Sequence, residues 1–311
     1  FKQKTAYEIR LSLVGSEMCI RDRPGIIPII WERFWISSSS QNGNLGHKWH
    51  HPYDLTIVEM TDFTIVRLEH GRLTFFPNLD RGAHFFHRAE QSTLYRNKNG
   101  IYHLLRNDGL IYVFSPTPSE PANHVLSKIR DANNNSVYLT YNLDADLKKI
   151  ETCEGLQVQF DYSLDKKIQS ISKSNGSESQ FLVAYEYDGD GNLSSATNAS
   201  QTPFTYQYQN RLITQETRRS GLSFYFEWDD ITTLGRAKCI KTWGDSDIYW
   251  REIDYDADEQ ETRVKDIRGG LTKYHSDARG HVTRIKTALG AETQQRYNTV
   301  SYTHLTLPTK A

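Results

Sequence analysis

Between residues 139 and 298 the chain alternates apolar and polar positions in short runs that recur at a nearly fixed distance. Quartets of the form apolar–polar–aromatic–polar appear as LTYN (139–142), FDYS (160–163), YEYD (185–188), YQYQ (206–209) and FEWD (226–229). IDYD (253–256), YHSD (274–277) and QRYN (295–298) continue the series. Their third residues, Tyr141, Tyr162, Tyr187, Tyr208, Trp228, Tyr255, Ser276 and Tyr297, are spaced by 21, 25, 21, 20, 27, 21 and 21 residues. Period-two alternation predicts strands with one buried face. Turn residues follow the quartets, clearest in Asp188-Gly189-Asp190-Gly191-Asn192 and Asp277-Ala278-Arg279-Gly280-His281. Such residues tolerate the positive φ of tight turns. Second strands are expected over Leu193–Thr197, Leu212–Thr217 and Val282–Thr287, so each repeat reads as one β-hairpin.

A lone hairpin is marginal in water, so the units must pair edge to edge. Recurrence at every unit assigns the aromatic third residues to packing between neighbouring strands rather than to catalysis or sugar stacking. By the same logic Asp188, Asp229, Asp256 and Asp277 are acceptors for turn N–H groups, not catalytic carboxylates. Tyr187, Tyr208, Trp228 and Tyr255 are expected on one face. Upstream, runs such as Thr64–Leu68, Ile101–Leu105 and Leu110–Phe114 alternate in the same way. Gly71, Asn99-Gly100 and Asp108-Gly109 separate them, and Pro116–Pro121 makes a longer loop. The same sheet is expected to run through without a break.

Composition agrees with an all-β chain: 18 Tyr, 13 Phe and 6 Trp stand against 2 Met and 9 Pro in 311 residues. Lys plus Arg is 37 and Asp plus Glu 38, a balance that argues against a nucleic-acid partner. Cys19, Cys153 and Cys239 form neither a disulfide framework nor a zinc pair. No apolar run reaches the ~18 residues of a membrane helix. His47, His50 and His51 cluster, but Pro52 follows at once and no Glu lies between them, unlike a helical zinc motif. No GxSxG, GxxxxGK[ST] or dinucleotide fingerprint occurs. Neither a catalytic residue, a metal ligand nor a cofactor site is assigned.

The quartets and turns, above all YEYDGDGNLSSATN (185–198) and YHSDARGHVTRI (274–285), resemble the YD repeat of Rhs proteins, of wall-associated proteins and of Tc toxins. The upstream stretch PIIWERFWISSSSQNGNLGHKWHHPYD (28–54) is similar to the segment that precedes the repeats in Rhs proteins. Its matching residues are Trp31, Arg33, Leu45, Gly46, Trp49, His51, Tyr53 and Asp54, with Lys48 where the family pattern usually has glycine. Ser276 replaces the tyrosine of one repeat, and Asn142, Ser163 and Gln209 replace the aspartate of others. The resemblance implies YD-repeat hairpins in a curved open sheet, part of a hollow β-shell or cocoon that encloses a C-terminal toxin domain.

It further implies a secreted or cell-surface bacterial protein used in competition, delivered by secretion machinery such as a type VI system. The family's self-cleaving Asp-Pro motif has no counterpart here. Residues 24–138 correspond to the segment preceding the repeats and 139–298 to the repeats. Residues 1–23 and 299–311 leave the repeat phase and resemble translated sequencing-adapter DNA, so the chain reads as an internal fragment. A cell-surface or carbohydrate-binding array of a wall-associated protein is the alternative function, and an enzyme a third. The first two differ in whether a toxin follows the repeats in the complete reading frame. Turnover by the isolated segment would favour the third. An open sheet with an unpaired edge promotes association. Residues 24–298 are therefore predicted to elute from size-exclusion chromatography as oligomers, and a stable monomer would contradict the fragment reading.

Overall fold

The computed structural model describes residues 26–297 except 177, 233–235 and 279–280, together with the backbone of strands Ser12–Cys19 and Thr303–Thr306. The described residues are β-strands and turns, with one 3-10 turn at Asp245–Asp247. The expected sequence termini, 1–23 and 299–311, fall largely outside the described residues. The packing predicted for Tyr297 does so as well.

Two compact units divide after Thr202, within the repeats. Among described residues, one unit holds 26–34 and 41–202, and the other holds 35–40 and 203–297. Within each, neighbouring strands pair antiparallel in sequence order, as a chain of hairpins. Each unit is therefore all-β and antiparallel. One local return is built into the first of them. Strand Asn123–Arg130 pairs through Asn123–Val125 with Thr56–Val58, and through Lys128–Arg130 with Ser136–Tyr138. The strands between 56 and 130 thus come back upon their own first member. Ile57, Val66, Leu94, Leu104, Phe114 and Leu126, all at most 1% exposed, pack inside that return.

The repeat quartets lie on strands, and their alternation is physical. First residues Leu139, Phe160, Tyr185, Tyr206, Phe226 and Ile253 are buried. Second residues Thr140, Asp161, Glu186, Gln207, Glu227 and Asp254 face solvent. Between second and third residues the register within the hairpin slips, at Thr140/Tyr141, Asp161/Tyr162, Glu186/Tyr187, Gln207/Tyr208, Glu227/Trp228 and His275/Ser276. The slip leaves one extra residue on the partner strand, for example Lys148 between Leu147 and Lys149. Such β-bulges bend a strand and interrupt its ladder.

The third residue answers a different interruption, on the side of the preceding hairpin. Ladders between successive hairpins stop at Lys128↔Tyr138, Lys149↔Gln159, Ser170↔Ala184, Gln215↔Tyr225 and Lys241↔Glu252. Two residues further along, a backbone carbonyl lies beyond the ladder's end. The aromatic of the next quartet donates to it in every case. Tyr141 Oη bonds Leu126 O at 2.7 Å, Tyr162 Oη bonds Leu147 O at 2.8 Å, and Tyr187 Oη bonds Ile168 O at 2.7 Å. Trp228 Nε1 bonds Ile213 O at 2.9 Å, and Tyr255 Oη bonds Cys239 O at 2.9 Å. Burial raises the ionisation of Tyr141, Tyr162, Tyr187 and Tyr255 well above the usual phenol range, so each stays a neutral donor.

The fourth residue closes the turn. Asp188 Oδ1 accepts from the N–H groups of Asp190 and Asn192 at 3.0 and 2.8 Å. Asn142 does the same for Asp144 and Asp146 at 3.0 and 2.8 Å. Asp277 accepts from His281 N at 2.9 Å, Asp256 from Glu259 N at 3.1 Å, and Asp229 from Lys238 N at 2.7 Å. Asparagine offers the same side-chain oxygen as aspartate, so the substitution at 142 preserves the turn.

The hydroxyl bond can be tested. Tyr187→Phe keeps the ring but leaves Ile168 O, and Asn44 O at 3.2 Å, without the donor. A loss of about 1–3 kcal/mol is predicted by urea denaturation of the chain. Tyr138→Phe, at a tyrosine 46% exposed, is expected to change stability by under about 0.5 kcal/mol.

Candidate functional site

The seven upstream residues Trp31, Arg33, Gly46, Trp49, His51, Tyr53 and Asp54 converge in the unit that holds residues 41–202. Strand Ile30–Ile36 is the middle member of a three-stranded sheet with Ser12–Cys19 and Trp49–His50. Trp31, 1% exposed, stacks on His51 at 4.7 Å and on Tyr53 at 6.2 Å, and lies tilted on Phe160 at 5.0 Å. Its Nε1–H donates to Tyr185 Oη at 2.8 Å. Phe160 and Tyr185 are first residues of two quartets, so Trp31 joins the upstream segment to the buried face of the repeats. Arg33, with no exposed surface, places its guanidinium over Trp49 at 5.2 Å and over Tyr185 at 5.5 Å. A guanidinium is weakly hydrated and stacks on aromatic faces, so arginine suits this interior where lysine would not.

Asp54 anchors the loop beneath. It contacts His50 Nδ1 at 3.3 Å and accepts from Gln41 Nε2 at 3.1 Å. Burial pushes its carboxyl upward, but the His50 hydrogen bond and the Arg67 charge outweigh that and hold it below the usual carboxylate range. Burial takes His51 down to about 4 against the pull of Asp54, so its ring is neutral at physiological pH. Arg67 is fixed by Thr56 Oγ1 at 3.1 Å from Nε and 2.9 Å from Nη2, and by Gln41 Oε1.

The loop 41–46 sits on the turns of three successive repeats. Asn44 Nδ2 donates to Asp146 Oδ1 at 2.8 Å, and Asn44 O accepts from Ile168 N at 2.8 Å. Lys167 Nζ reaches Asn42 Oδ1 and Gly43 O at 2.6 and 2.8 Å. Gly46 has φ 96°, and a Cβ there would lie 2.9 Å from Gly191 O. Lys48 has φ 67°, the left-handed region that glycine enters most easily. That accounts for the family's glycine at this position.

The eleven repeat residues are not gathered into one place. They are distributed strand by strand: the bonds above place nine of them, Tyr208 lies half-buried on strand Pro203–Gln209, and the Tyr297 side chain is outside the described residues. Sequence reasoning missed Asn44, Lys167 and Arg67, which dock the upstream loop, because single polar residues in an Asn/Gly-rich run carry no periodic signal. It also missed Trp35, fully buried against Trp228 at 5.8 Å between ring centres.

Next to the docked loop lies a polar cavity of about 420 Å³, lined among others by Asp54, Arg67, Glu120, Asn123, Asp146 and Tyr162. Its polar side chains bond one another: Asp146 is held by Asn44 and Asn142, and Glu120 by Asn123. Among the described residues, no three His, Cys, Asp or Glu side chains are grouped to hold a metal ion. The buried Cys239 thiol is pushed up to about 12, chiefly by burial, and is inert as a nucleophile at neutral pH.

The domain of unknown function DUF6531 matches residues 21–76, the upstream segment and the strands that follow it. No curated protein matches the chain. Solved structures that resemble it include the Tc holotoxin pore of Photorhabdus luminescens, at 8% identity and a TM-score of 0.41, covering 82% of this chain and 16% of that one. A TcdB2–TccC3–TEV crystal structure matches at 12% identity and a TM-score of 0.41, over 87% of this chain and 17% of that one. TcdB2–TccC3 without its hypervariable C-terminal region matches at 9% and 0.38, over 88% and 18%. The chain spans less than a fifth of each of these structures.

Gly46 tests the docked loop. Gly46→Ala places a methyl group against a repeat-turn carbonyl in a left-handed backbone. It is predicted to destabilise the chain by more than about 2 kcal/mol in thermal or urea unfolding. Gly82→Ala shares a positive φ but meets nothing within 4 Å, and should cost only about 1 kcal/mol.

Proposed function

We propose that this chain is a wall segment of an Rhs-type polymorphic toxin, which encloses a C-terminal toxin domain and is not itself a catalyst. One observation carries the reading. Five of the eight hairpins are joined to the preceding strand by the same aromatic-to-carbonyl bond. A sheet so joined extends by adding units, without needing any one of them to be special. That is the property an enclosing wall requires. The upstream segment, seated on the buried face through Trp31 and Arg33 and on the turns through Asn44, supports the same reading, because it covers apolar surface that a free sheet would expose to water.

In this reading the partners are the toxin domain of the complete chain and a bacterial secretion apparatus, with export for competition between cells. In this reading the segment binds no nucleic acid and has no membrane span. The experiment is to express the complete reading frame and follow its C-terminal region by limited proteolysis. Resistance of that region in the whole protein, and its rapid cleavage once this segment is deleted, is the expected result. Equal cleavage rates would sink the proposal. Saturable binding of the isolated segment to cell-wall polysaccharide would favour a surface array instead.

A further inference from the structure

The return of the 56–130 strands is held at its seam by three residue pairs, Thr56↔Val125, Ile57↔His124 and Val58↔Asn123, plus Glu59 N bonded to Ala122 O at 2.9 Å. Beside that seam lies a cluster the proposed function does not use. His124, 3% exposed, places Nε2 2.9 Å from Glu59 Oε1. Arg96 Nη2 donates to the same oxygen at 3.0 Å. Tyr102 completes the cluster, edge-on to the His124 ring at 5.0 Å and beneath the Arg96 guanidinium at 5.0 Å. One carboxylate on strand Thr56–Glu59 therefore holds together side chains from strands Ser92–Arg96 and Asn123–Arg130.

The arrangement satisfies only one protonation state of His124. With its proton on Nε2, the ring donates to Glu59. Its Nδ1 is buried with no hydrogen-bond partner among the described residues. A second proton would create a buried N–H without an acceptor. It would also set two cations against a single carboxylate charge, because Arg96 already occupies Glu59. Of the other groups facing the ring, Tyr102 is neutral, burial first among the causes that raise its ionisation. In the loop ahead of the strand, Glu120 is engaged by the Asn123 side chain. Among the described residues, Glu59 is the carboxylate that acts on the His124 ring, and it already serves Arg96.

We propose that this seam is an acid-released latch: protonation of His124 breaks the Glu59–His124 tie and parts strand Thr56–Glu59 from the start of strand Asn123–Arg130. Burial, ahead of the opposing pull of Glu59, holds the His124 ring below its ordinary range. The unfolded or opened chain therefore takes up the proton at higher pH than the closed one. Stability of the seam is intact above the usual histidine range of ~6.5 and falls as the pH drops through it. Cavity-lining Val58, Asn123, His124 and Val125 all belong to the seam, so opening it also opens the polar cavity. The latch does not depend on the chain being a toxin wall.

Hydrogen exchange of the complete chain, corrected for the intrinsic pH dependence, provides the test. Peptides covering 56–59 and 122–126 are expected to lose protection by about tenfold or more between pH ~7.5 and ~5, while the core strands 147–152 and 168–174 hold. His124→Gln keeps a donor toward Glu59 and cannot take the proton, and should abolish the pH dependence. Arg96→Gln leaves Glu59 free to pair with the imidazolium, and should move the loss of protection to lower pH. That second variant decides the matter where the first does not fold. Unchanged protection in the wild type, the same loss in His124→Gln, or no downward displacement in Arg96→Gln would each overturn the latch.

Discussion

A carbonyl without a strand partner is the constraint on which the repeat region turns. Most hairpins carry a bulge before their third residue, though the one at Tyr255 does not, and at five joints the ladder to the preceding strand stops two residues short of a buried backbone acceptor. Leaving such an acceptor dry and unpaired costs on the order of 1–3 kcal/mol. The phenol of the next unit removes that penalty from the side-chain layer rather than from the backbone. This fixes what the third residue must be: long, rigid, apolar along its length and a donor at its tip. Tyrosine satisfies all four requirements, and Trp228 meets them with an indole N–H in place of the hydroxyl. The acceptor lies on the strand just before, so the aromatic reaches across one strand spacing to the preceding hairpin.

That mechanism explains which parts of the fold were legible. The quartets could be read because donor and turn acceptor each demand a residue type at a fixed offset, and the demand recurs in most units. The degenerate positions are informative for the same reason. Asn142 keeps the turn because it keeps the oxygen. Ser276 gives up the long reach and instead donates from its short hydroxyl to Gln260 O at 3.1 Å, in a repeat whose quartet side chains 274–276 are only half-buried. What did not show in the sequence was the purpose of the tyrosine hydroxyl. Alternation identifies a buried face but says nothing of an acceptor one hairpin away. The division of compact units after Thr202, inside the repeats, was equally invisible, since the quartet pattern runs through it unchanged.

The upstream segment was legible in a different way. Its residues have no period, and their meaning came from a resemblance rather than from spacing. The contacts supply the reason each residue type is needed: an indole donor for Tyr185, a guanidinium flat enough to sit between two rings, and a glycine where a methyl group would strike a turn. Asn44, Arg67 and Lys167 do comparable work, yet nothing in one sequence distinguishes them from solvent-facing polar residues. A docked loop is specified by its partner surface, and that surface lies more than a hundred residues away.

The two regions also differ in how their polar groups respond to pH. Along the repeats the phenols of Tyr141, Tyr162, Tyr187 and Tyr255 are neutral far beyond physiological pH and their acceptors are backbone carbonyls, so these bonds are insensitive to protonation. At the 56–130 return the joint is made by side chains, with one carboxylate shared between a permanent cation and a histidine. Backbone pairing there spans only three residues, so the side-chain tie is a larger part of what keeps it shut. At this return a single proton changes the balance of charge, and the site borders the polar cavity beneath the docked loop.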